Sequence, residues 1–378
     1  MFNTAFKFIR FEKAKSTGIL LGIVISIYLI GLELGMFFYL SSLVGGIINN
    51  SKPEYAQVFV VNKLTNNANV LSPFDKRWVH QLRSIDGVDD THPLVMSNIS
   101  MRFDNGESSP AMIVGSEFPK LVGGPANHLL HQGSLESLFR QGVVSTEFYD
   151  TKAFGYEFKI GSNFEIGGKL ASIGAITKNA RTFASPILYT SDENVRYFSG
   201  MSENLINAVI VTVHDENKIS DVVRQINVMA PDLKAWKAND IKMKTVITVM
   251  TANNMGMSFG TLVLFAIISG FFIIGLTMYS VTYDRIKDYG TLKAIGANSR
   301  YITALVVTQS FIYAIIGFSI SLLLLIITKY GMAKAGLLIN LSFPLLLFLF
   351  SVTLFISVAS SFFSVSKLKK VEPSSVFR

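Results

Sequence analysis

Long runs without charged residues constrain this chain of 378 residues more than any other feature of its sequence. Three runs contain no Asp, Glu, Lys or Arg: Thr245–Tyr283, Tyr301–Thr328 and Ala335–Ser366. A fourth run, Gly18–Val44, contains Glu33 as its only charged residue. Each run exceeds the roughly 20 apolar residues that a helix needs to cross the ~30 Å hydrocarbon core of a bilayer. The runs predict four transmembrane helices, near 17–44, 257–282, 302–328 and 341–365.

The spacing of these helices predicts the domain organisation. We expect residues 1–45 to form a cytoplasmic N-terminus and the first helix, 46–255 an extracytoplasmic domain, and 256–378 the other three helices with a cytoplasmic C-terminus. The first apolar run is about twice as long as the 7–15 residues of a signal-peptide core, so it should remain as an anchor. Pro344 suits the first turn of the fourth helix, where its missing N–H would be unpaired anyway.

The basic residues predict the orientation. They cluster in three short flanks: Lys7, Arg10, Lys13 and Lys15; Arg285, Lys287, Lys293 and Arg300; and Lys367, Lys369, Lys370 and Arg378. The link between the third and fourth helices carries only Lys329 and Lys334. Because basic residues concentrate on the cytoplasmic side, this pattern predicts a multi-pass protein of the inner (plasma) membrane with both termini cytoplasmic.

The segment 46–255 has the composition of an ordinary folded domain. It is nearly neutral, so the formal charge of +8 lies almost entirely on the membrane part. We interpret that charge as a signal for the cytoplasmic face and its anionic lipids, rather than as a nucleic-acid footprint. The chain has no Cys, so a domain of this size must be stabilised by its core.

Short runs rich in β-branched residues alternate with helical patterns in this segment, which predicts an α+β domain. The predicted strands are Ala56–Val61, Ser109–Val114, Gly142–Ser145 and Ile206–Val213, and the predicted helices are Phe74–Ile85 and Lys218–Met229. In the first helix, Trp78, Leu82 and Ile85 would share one face. The stretch Lys242–Asn254 would extend the second transmembrane helix as a stalk.

Three common catalytic and metal-binding motifs are missing from the sequence. It has no G-x-x-x-x-G-K-[ST], H-E-x-x-H or C-x-x-C, so we expect a non-enzymatic subunit without a P-loop ATPase of its own and without a cofactor on this chain. His128 and His131 are three residues apart, as metal ligands on one helical face would be. Gly and Pro flank them, which favours two solvated loop histidines over a metal site.

Glu33 is the one ionisable residue within a predicted membrane helix. Such residues are costly and face an interior or a partner. Glu33 is a candidate intramembrane polar site that contacts substrate, a proton or a cation. The alternatives are a helix–helix hydrogen bond, or hydration near the outer edge of the bilayer.

Three pairs of glycines are spaced as G-x-x-x-G: Gly18 with Gly22, Gly31 with Gly35, and Gly256 with Gly260. Small residues at this spacing let membrane helices approach closely. Two pairs on the first helix favour its packing against another helix, within one chain or across a dimer.

The stretch Tyr283–Tyr301 lies between the second and third membrane helices. Asp284–Ile295 fits a short amphipathic helix with Ile286, Leu292 and Ile295 on its apolar side, and Gly296 supplies a C-terminal stop. A basic helix along the inner face either anchors at the interface or docks into a cytoplasmic subunit.

The run D-Y-G-T-L-K-A-I-G-A at 288–297 resembles the E-x-G-x-L-x-A-[LIM]-G-A signature of the FtsX-like permeases of ABC transporters, a superfamily that includes MacB. The C-terminal stretch 369–378, K-K-V-E-P-S-S-V-F-R, resembles that family's closing segment. YGTLKAIGA and EPSSVF are most similar to DevC-type permeases. Asp288 stands where most relatives have Glu, which keeps the charge but shortens its reach.

The resemblance implies an ABC exporter permease with a MacB-like periplasmic domain that works as a homodimer. A separate P-loop ATPase, which binds ATP and Mg, would dock on the predicted helix and drive extrusion from the periplasm or outer leaflet without a channel through the bilayer. The coupling residues would be Asp284, Arg285, Asp288, Gly290, Leu292, Lys293 and Gly296. A membrane-fusion protein and an outer-membrane channel often complete such machines.

Two other classes remain open. One is an FtsX-like signalling subunit, which activates an extracytoplasmic partner and would need an exposed hydrophobic surface on the outer domain. The other is a membrane receptor, although the chain carries no attached kinase or methyl-accepting region.

Overall fold

The computed structural model describes residues 13–150, 157–183, 185–334 and 336–368. The basic residues Lys7 and Arg10 and the family-like segment 369–378 lie outside the described residues. The chain divides into two compact units. The helical unit comprises Met1–Tyr39 and Met255–Arg378, and the sheet unit comprises Leu40–Asn254.

Ten α-helices and twelve strands form the described part of the chain. Helices α1 to α10 are Lys13–Val44, Gly46–Asn50, Trp78–Arg83, Asp192–Ser199, Ile219–Met229, Ala238–Ala252, Met255–Asp284, Ile286–Ala294, Ser299–Lys334 and Phe343–Leu368. Strands β1 to β12 are Val58–Asn62, Phe74–Asp75, Val88–Arg102, Ser108–Ser116, Leu130–Gly133, Val143–Glu147, Asn163–Ile166, Lys169–Thr177, Ile187–Ser191, Leu205–Ile206, Ala208–Val213 and Leu233–Lys237.

A sheet of ten strands organises the sheet unit. Its main path runs β12-β1-β11-β3-β7-β8-β5, while β4 pairs with β3 and β9, and β6 pairs with β8. The pairings β4–β9 and β6–β8 are parallel, and the others in this sheet are antiparallel. The four predicted strands are all present, which confirms the α+β prediction for this segment.

The centre of the sheet is buried on both faces. In β1, Val58 and Val60 belong to one hydrophobic core, and Phe59 and Val61 belong to another. Side chains alternate across a strand, so this division places a core on each side of the sheet. Helices α3, α4 and α5 contribute to the first core, and α2 and α6 contribute to the second. Burial on both faces explains why β1 and β11 are nearly continuous apolar runs.

The predicted helix over Phe74–Ile85 is wrong at its start. Phe74 and Asp75 form strand β2, which pairs with β10, and the helix begins only at Trp78. The Asp75 carboxylate accepts a hydrogen bond from the backbone N–H of Arg77 at 2.8 Å, a local turn that competes with helix. The predicted apolar face is confirmed, because Leu82 is buried and Trp78 packs against the same core.

The stretch before α7 differs from the continuous stalk that we expected. Helix α6 ends at Ala252, and α7 begins at Met255. Between them, Asn254 has a φ of 53°, a left-handed conformation that Asn tolerates at helix ends. The side chain of Asn253 donates to the carbonyl of Val249 at 2.8 Å. The two asparagines therefore separate α6 from α7.

Helices α1, α7, α9 and α10 of the helical unit are long and apolar enough to cross a membrane. They correspond to the four predicted transmembrane segments. Helix α10 begins at Phe343, so Pro344 lies in the first turn, as predicted. Isoleucines of α1 and residues of the other three helices share one hydrophobic core.

Contacts between helices show their relative directions. A Cβ added at Gly22 would lie 2.7 Å from Ile273, and one at Gly18 would lie 3.6 Å from Thr277, so α1 and α7 run antiparallel. The hydroxyls of Ser16 and Tyr28 meet those of Tyr313 and Thr328 at 2.7 and 3.0 Å, so α1 and α9 run parallel. The helices therefore alternate in the way that successive membrane crossings require.

Two of the three glycine pairs lie at helix contacts within one chain. A Cβ at Gly31 would lie 2.6 Å from Leu325, and one at Gly35 would lie 2.4 Å from Ile339. By contrast, nothing in the described part of the chain lies within 4 Å of a Cβ added at Gly256 or Gly260. The glycines of α1 therefore permit close packing inside the helical unit, whereas the pair on α7 faces open space.

Candidate coupling site

Three successive elements of the helical unit build the candidate site: the end of α7, the short helix α8 and the start of α9. Helix α7 ends at Asp284, and α8 begins at Ile286. The intervening Arg285 has φ −97° and ψ 14°, outside the helical range. The predicted helix over Asp284–Ile295 therefore exists, but its first residue belongs to the preceding membrane helix.

Gly296 ends α8, as the sequence predicted. Its φ is 102°, which glycine adopts without the steric cost of a Cβ. The N–H of Gly296 donates to the carbonyl of Lys293 at 3.0 Å, and that of Ala297 donates to Leu292 at 2.9 Å. These two bonds form a Schellman motif. Asn298 then caps α9, because its side chain accepts from the N–H of Arg300 at 3.3 Å.

One side of α8 packs against the other helices of the helical unit. Tyr289 is 2% exposed and Arg285 is 6% exposed. Gly290 is buried, and Leu292 is half-buried against the shared hydrophobic core. These residues hold α8 against the other helices.

The predicted apolar side of α8 is partly wrong. Ile295 is 76% exposed, and the side chain of Ile286 lies outside the described part of the structure. Tyr289 takes the inner position instead, and sequence reasoning missed it. Its spacing from Arg285 and Leu292, at i, i+4 and i+7, is the signal that could have found it, but a Tyr between Asp288 and Gly290 does not stand out as apolar.

The opposite side of α8 is polar and exposed. Lys287, Asp288 and Thr291 lie there, so Asp288 of the family-like signature is accessible from outside the helical unit. Asp284 instead forms an ion pair with Lys15 of α1, with about two-fifths of each side chain exposed. This pair joins the start of α1 to the end of α7, although such exposed pairs add at most about 1 kcal/mol.

The seven predicted coupling residues therefore lie in one continuous segment but not on one face. Arg285, Gly290 and Leu292 contact the helical unit, whereas Asp288 and Gly296 are exposed. Lys293 is half-buried. The segment joins a surface that a partner can reach to the packed interior of the four long helices.

Glu33 lies far from this segment. It is half-buried on α1, near the end of the bundle where Gly35 approaches Ile339. The rise of 1.5 Å per residue places it about 27 Å along the helix from Lys15. Among the described residues, none donates a hydrogen bond to its carboxylate. Glu33 and the coupling segment are therefore two separate features.

The two histidines singled out by their spacing do not share a helical face. His128 lies in a short 3₁₀ helix and His131 in β5. Both are exposed, and the His131 ring stacks edge-on against Phe148 at 5.0 Å between centroids. Within the described ranges, no group of three His, Cys, Asp or Glu is placed to hold a metal ion.

Sequence reasoning also missed a buried charged cluster in the sheet unit. The Glu147 side chain is 0% exposed and that of Asp150 is 9% exposed. The Arg181 guanidinium lies 3.9 Å from Glu147 and 3.6 Å from Asp150. Backbone N–H groups of Tyr149 and Asn179 each donate to Glu147 at 2.7 Å. We call these three charged residues the Arg181 cluster.

The Arg181 cluster has altered proton affinities. Burial, together with the neighbouring charge of Asp150, raises the pKa of Glu147 to about 7. Burial also raises the pKa of Asp150 to about 6, against the opposing effect of Arg181. No pattern in the sequence indicates this cluster, because Arg181 is more than 30 residues from both carboxyl residues.

Comparison with known families found a model that matches part of the helical unit. Residues 260–373 match the family model described as FtsX-like permease C-terminal, a region that contains α8. A comparison with curated proteins found no match.

Solved structures were also compared with the chain. The periplasmic region of MacB from Actinobacillus actinomycetemcomitans is similar at 13% identity, covering 52% of this chain and 94% of that structure, with a TM-score of 0.38. The extracellular domain of the noncanonic ABC-type transporter YknZ from Gram-positive bacteria is similar at 16% identity, covering 48% and 99%, with a TM-score of 0.35. Over residues 260–373, the chain is therefore similar to the C-terminal region of FtsX-like permeases.

Proposed function

We propose that this chain is the permease subunit of an ABC-type exporter, which transmits the work of a separate ATPase by mechanical movement. A P-loop ATPase with bound ATP and Mg would dock on α8, and its closure would move the four long helices and the sheet unit. The substrate would then be extruded from the periplasm or outer leaflet. The observation that carries this proposal is that one side of α8 is buried against the other helices while its opposite side is exposed.

The packing of the helical unit supports transmission without a channel. Side-chain hydroxyls bond between helices in its interior: Ser321 of α9 donates to the carbonyl of Val24 at 3.1 Å, and Ser360 of α10 donates to that of Phe271 at 3.2 Å. Such bonds between membrane helices contribute about 0.6 kcal/mol each. Together with close packing at Gly22 and Gly31, they favour movement of the four helices as a body.

The proposed placement follows the basic residues. α8 and both termini would lie in the cytoplasm, and the sheet unit would lie outside the inner membrane. Two copies would assemble, in the DevC-type arrangement that the sequence resembles, and a membrane-fusion protein and an outer-membrane channel would complete the exporter. The exposed apolar side chains of α7, among them Phe265 at 64% and Leu276 at 61%, would face lipid or the second copy.

Replacing Gly290 with Arg tests the proposal. Gly290 is buried, so a long charged side chain should displace α8 from the long helices and uncouple the ATPase. We expect ATP turnover of the reconstituted complex to fall at least about tenfold, which corresponds to 1.4 kcal/mol, with Leu292→Arg acting in the same direction. Gly331→Arg is the matched control, since it makes the same substitution on α9 where nothing in the described ranges lies within 4 Å of an added Cβ. Unchanged ATPase binding and turnover in Gly290→Arg and Leu292→Arg would count against the proposal.

A specific observation also favours the signalling alternative. The sheet unit exposes large apolar side chains: Leu64 is 85% exposed, Phe118 is 72% exposed and Val228 is 79% exposed. A protein partner could bury such residues. The neighbouring reading frames discriminate between the two functions. An ATPase gene beside one for a membrane-fusion protein supports export, an ATPase gene beside one for a peptidoglycan hydrolase supports signalling, and no ATPase gene contradicts both.

A further inference from the structure

The attachment of α8 to the long helices depends on very few side chains. The helix has nine residues, with Gly290 near its middle. A helix this short is marginal by itself, and an internal glycine costs a further ~1 kcal/mol relative to alanine. Packing against neighbours must therefore hold α8 in place.

Among the described side chains of α8, Tyr289 is the largest that is fully buried. It is 2% exposed and belongs to one hydrophobic core with residues of the adjoining helices. That core includes Met278 and Val281 of α7, Ile302, Leu305 and Val306 of α9, and Ile356 of α10. The Tyr289 ring is therefore the part of α8 that is fully buried in the core that the long helices share.

The other side chains of α8 that the structure describes are less buried than Tyr289. Lys287, Asp288 and Thr291 are exposed, and Leu292 is only half-buried. Protein interiors are close-packed and have low compressibility, so a displaced buried ring moves its neighbours. An exposed side chain can rearrange in solvent instead.

We infer that Tyr289 is the positioning residue through which movement of α8 reaches the long helices. This inference rests on the proposed function, because it requires an ATPase that moves α8. Tyr289 acts through the apolar contacts of its ring. We therefore expect removal of the ring to leave ATPase binding intact and to reduce the movement of the long helices that follows binding.

The natural absence of cysteine allows a direct measurement. A spin label on Leu64→Cys, an 85% exposed position of the sheet unit, reports the distance between two copies of the full chain. The distance is measured in the complex with its co-purifying P-loop ATPase, without nucleotide and after trapping with ATP and vanadate. The ATPase is supplied at saturating concentration, so that altered affinity does not enter the result.

We expect Tyr289→Ala to bind the ATPase as the unaltered chain does, but to reduce the vanadate-induced distance change at least fivefold. Tyr289→Phe keeps the ring and should restore the change, whereas a merely structural defect would also reduce ATPase binding. Tyr330→Ala, which removes a tyrosine ring of α9 that is 69% exposed, is the matched control and should show the full change. If Tyr289→Ala aggregates, Tyr289→Leu replaces it, because it keeps an apolar side chain but not the ring.

The outcomes separate the two hypotheses. A full distance change in Tyr289→Ala with the ATPase bound overturns the inference and leaves the proposed function intact. Equal losses in Tyr289→Ala and Tyr330→Ala also overturn it. If no ATPase co-purifies with the unaltered chain, or trapping changes no distance in it, the proposed function itself fails.

Discussion

Gly31→Leu is expected to lower the stability of the helical unit by about 2–3 kcal/mol, the usual cost of overpacking an interior. A Cβ at Gly31 would lie 2.6 Å from Leu325 of α9 and 3.1 Å from Leu349 of α10. The larger side chain must therefore push two helices away from α1. The full chain in detergent should show a melting temperature lower by more than about 5 °C, measured by size exclusion after heating.

Gly260→Leu provides the matched control for this experiment. It introduces the same side chain on α7, where nothing in the described ranges lies within 4 Å of an added Cβ. We expect its melting temperature to equal that of the unaltered chain. A change in oligomeric state alone would show that this face meets a second copy. Equal stability of Gly31→Leu and the unaltered chain would contradict the packing of α1 against α9 and α10.

Arg181→Met is expected to destabilise the sheet unit by about 3 kcal/mol at pH 8. The substitution removes the cation that lies within 4 Å of both buried carboxylates. Breaking a buried ion pair by removing one partner leaves uncompensated charge and costs about 3–5 kcal/mol. Tryptophan emission during urea unfolding of the full chain reports on this unit alone, because both tryptophans, Trp78 and Trp236, lie within it.

The same cluster predicts the pH dependence of the unit. Folding raises the pKa of Glu147 to about 7 and that of Asp150 to about 6, so the folded state binds more protons than the unfolded state between about pH 4 and pH 7. The stability that these carboxyls contribute is therefore full below about pH 4 and is lost progressively as the pH rises to about 7. From this cluster we expect a fall of about 4 kcal/mol in the free energy of unfolding between pH 5 and pH 8.

Two comparisons check the assignment to these carboxyls. Asp150→Asn removes one titrating group and should flatten the pH dependence, with stability at pH 8 at least equal to that of the unaltered chain. The cost of Arg181→Met should shrink at pH 5, where both carboxyls are protonated. A stability that instead rises between pH 5 and pH 8, in the unaltered chain and in Asp150→Asn alike, would exclude the Arg181 cluster as its source.

Features that depend on neighbours in the sequence were predictable. The four apolar runs appear as four long helices, the β-branched runs appear as strands, and Gly296 ends α8 through its left-handed backbone. Pro344 lies in the first turn of its helix. Each prediction rests on a length, a period or a backbone preference that the local residues carry themselves.

Features that depend on distant residues were predicted poorly. Phe74 forms a strand because β10 offers a pairing partner, which outweighs the helical pattern around Trp78. The Arg181 cluster brings Arg181 to two carboxyl residues that are more than 30 positions away from it, so no local period could indicate it. The coupling segment combines both kinds of feature. Its existence and its end were predicted from local residues, but its inner face depends on distant ones and was not predicted.

The sequence by itself determined which segments are apolar enough to span a membrane, where the short helix between them stops, and which family signature that helix carries. Only the tertiary structure decided that Tyr289 faces inward while Ile295 remains 76% exposed. It also decided that Gly22 and Gly31, rather than Gly256 and Gly260, meet another helix closely. The reason is physical: hydrophobic period and length are local properties, whereas the rotation of a helix about its own axis is set by the helices that pack against it.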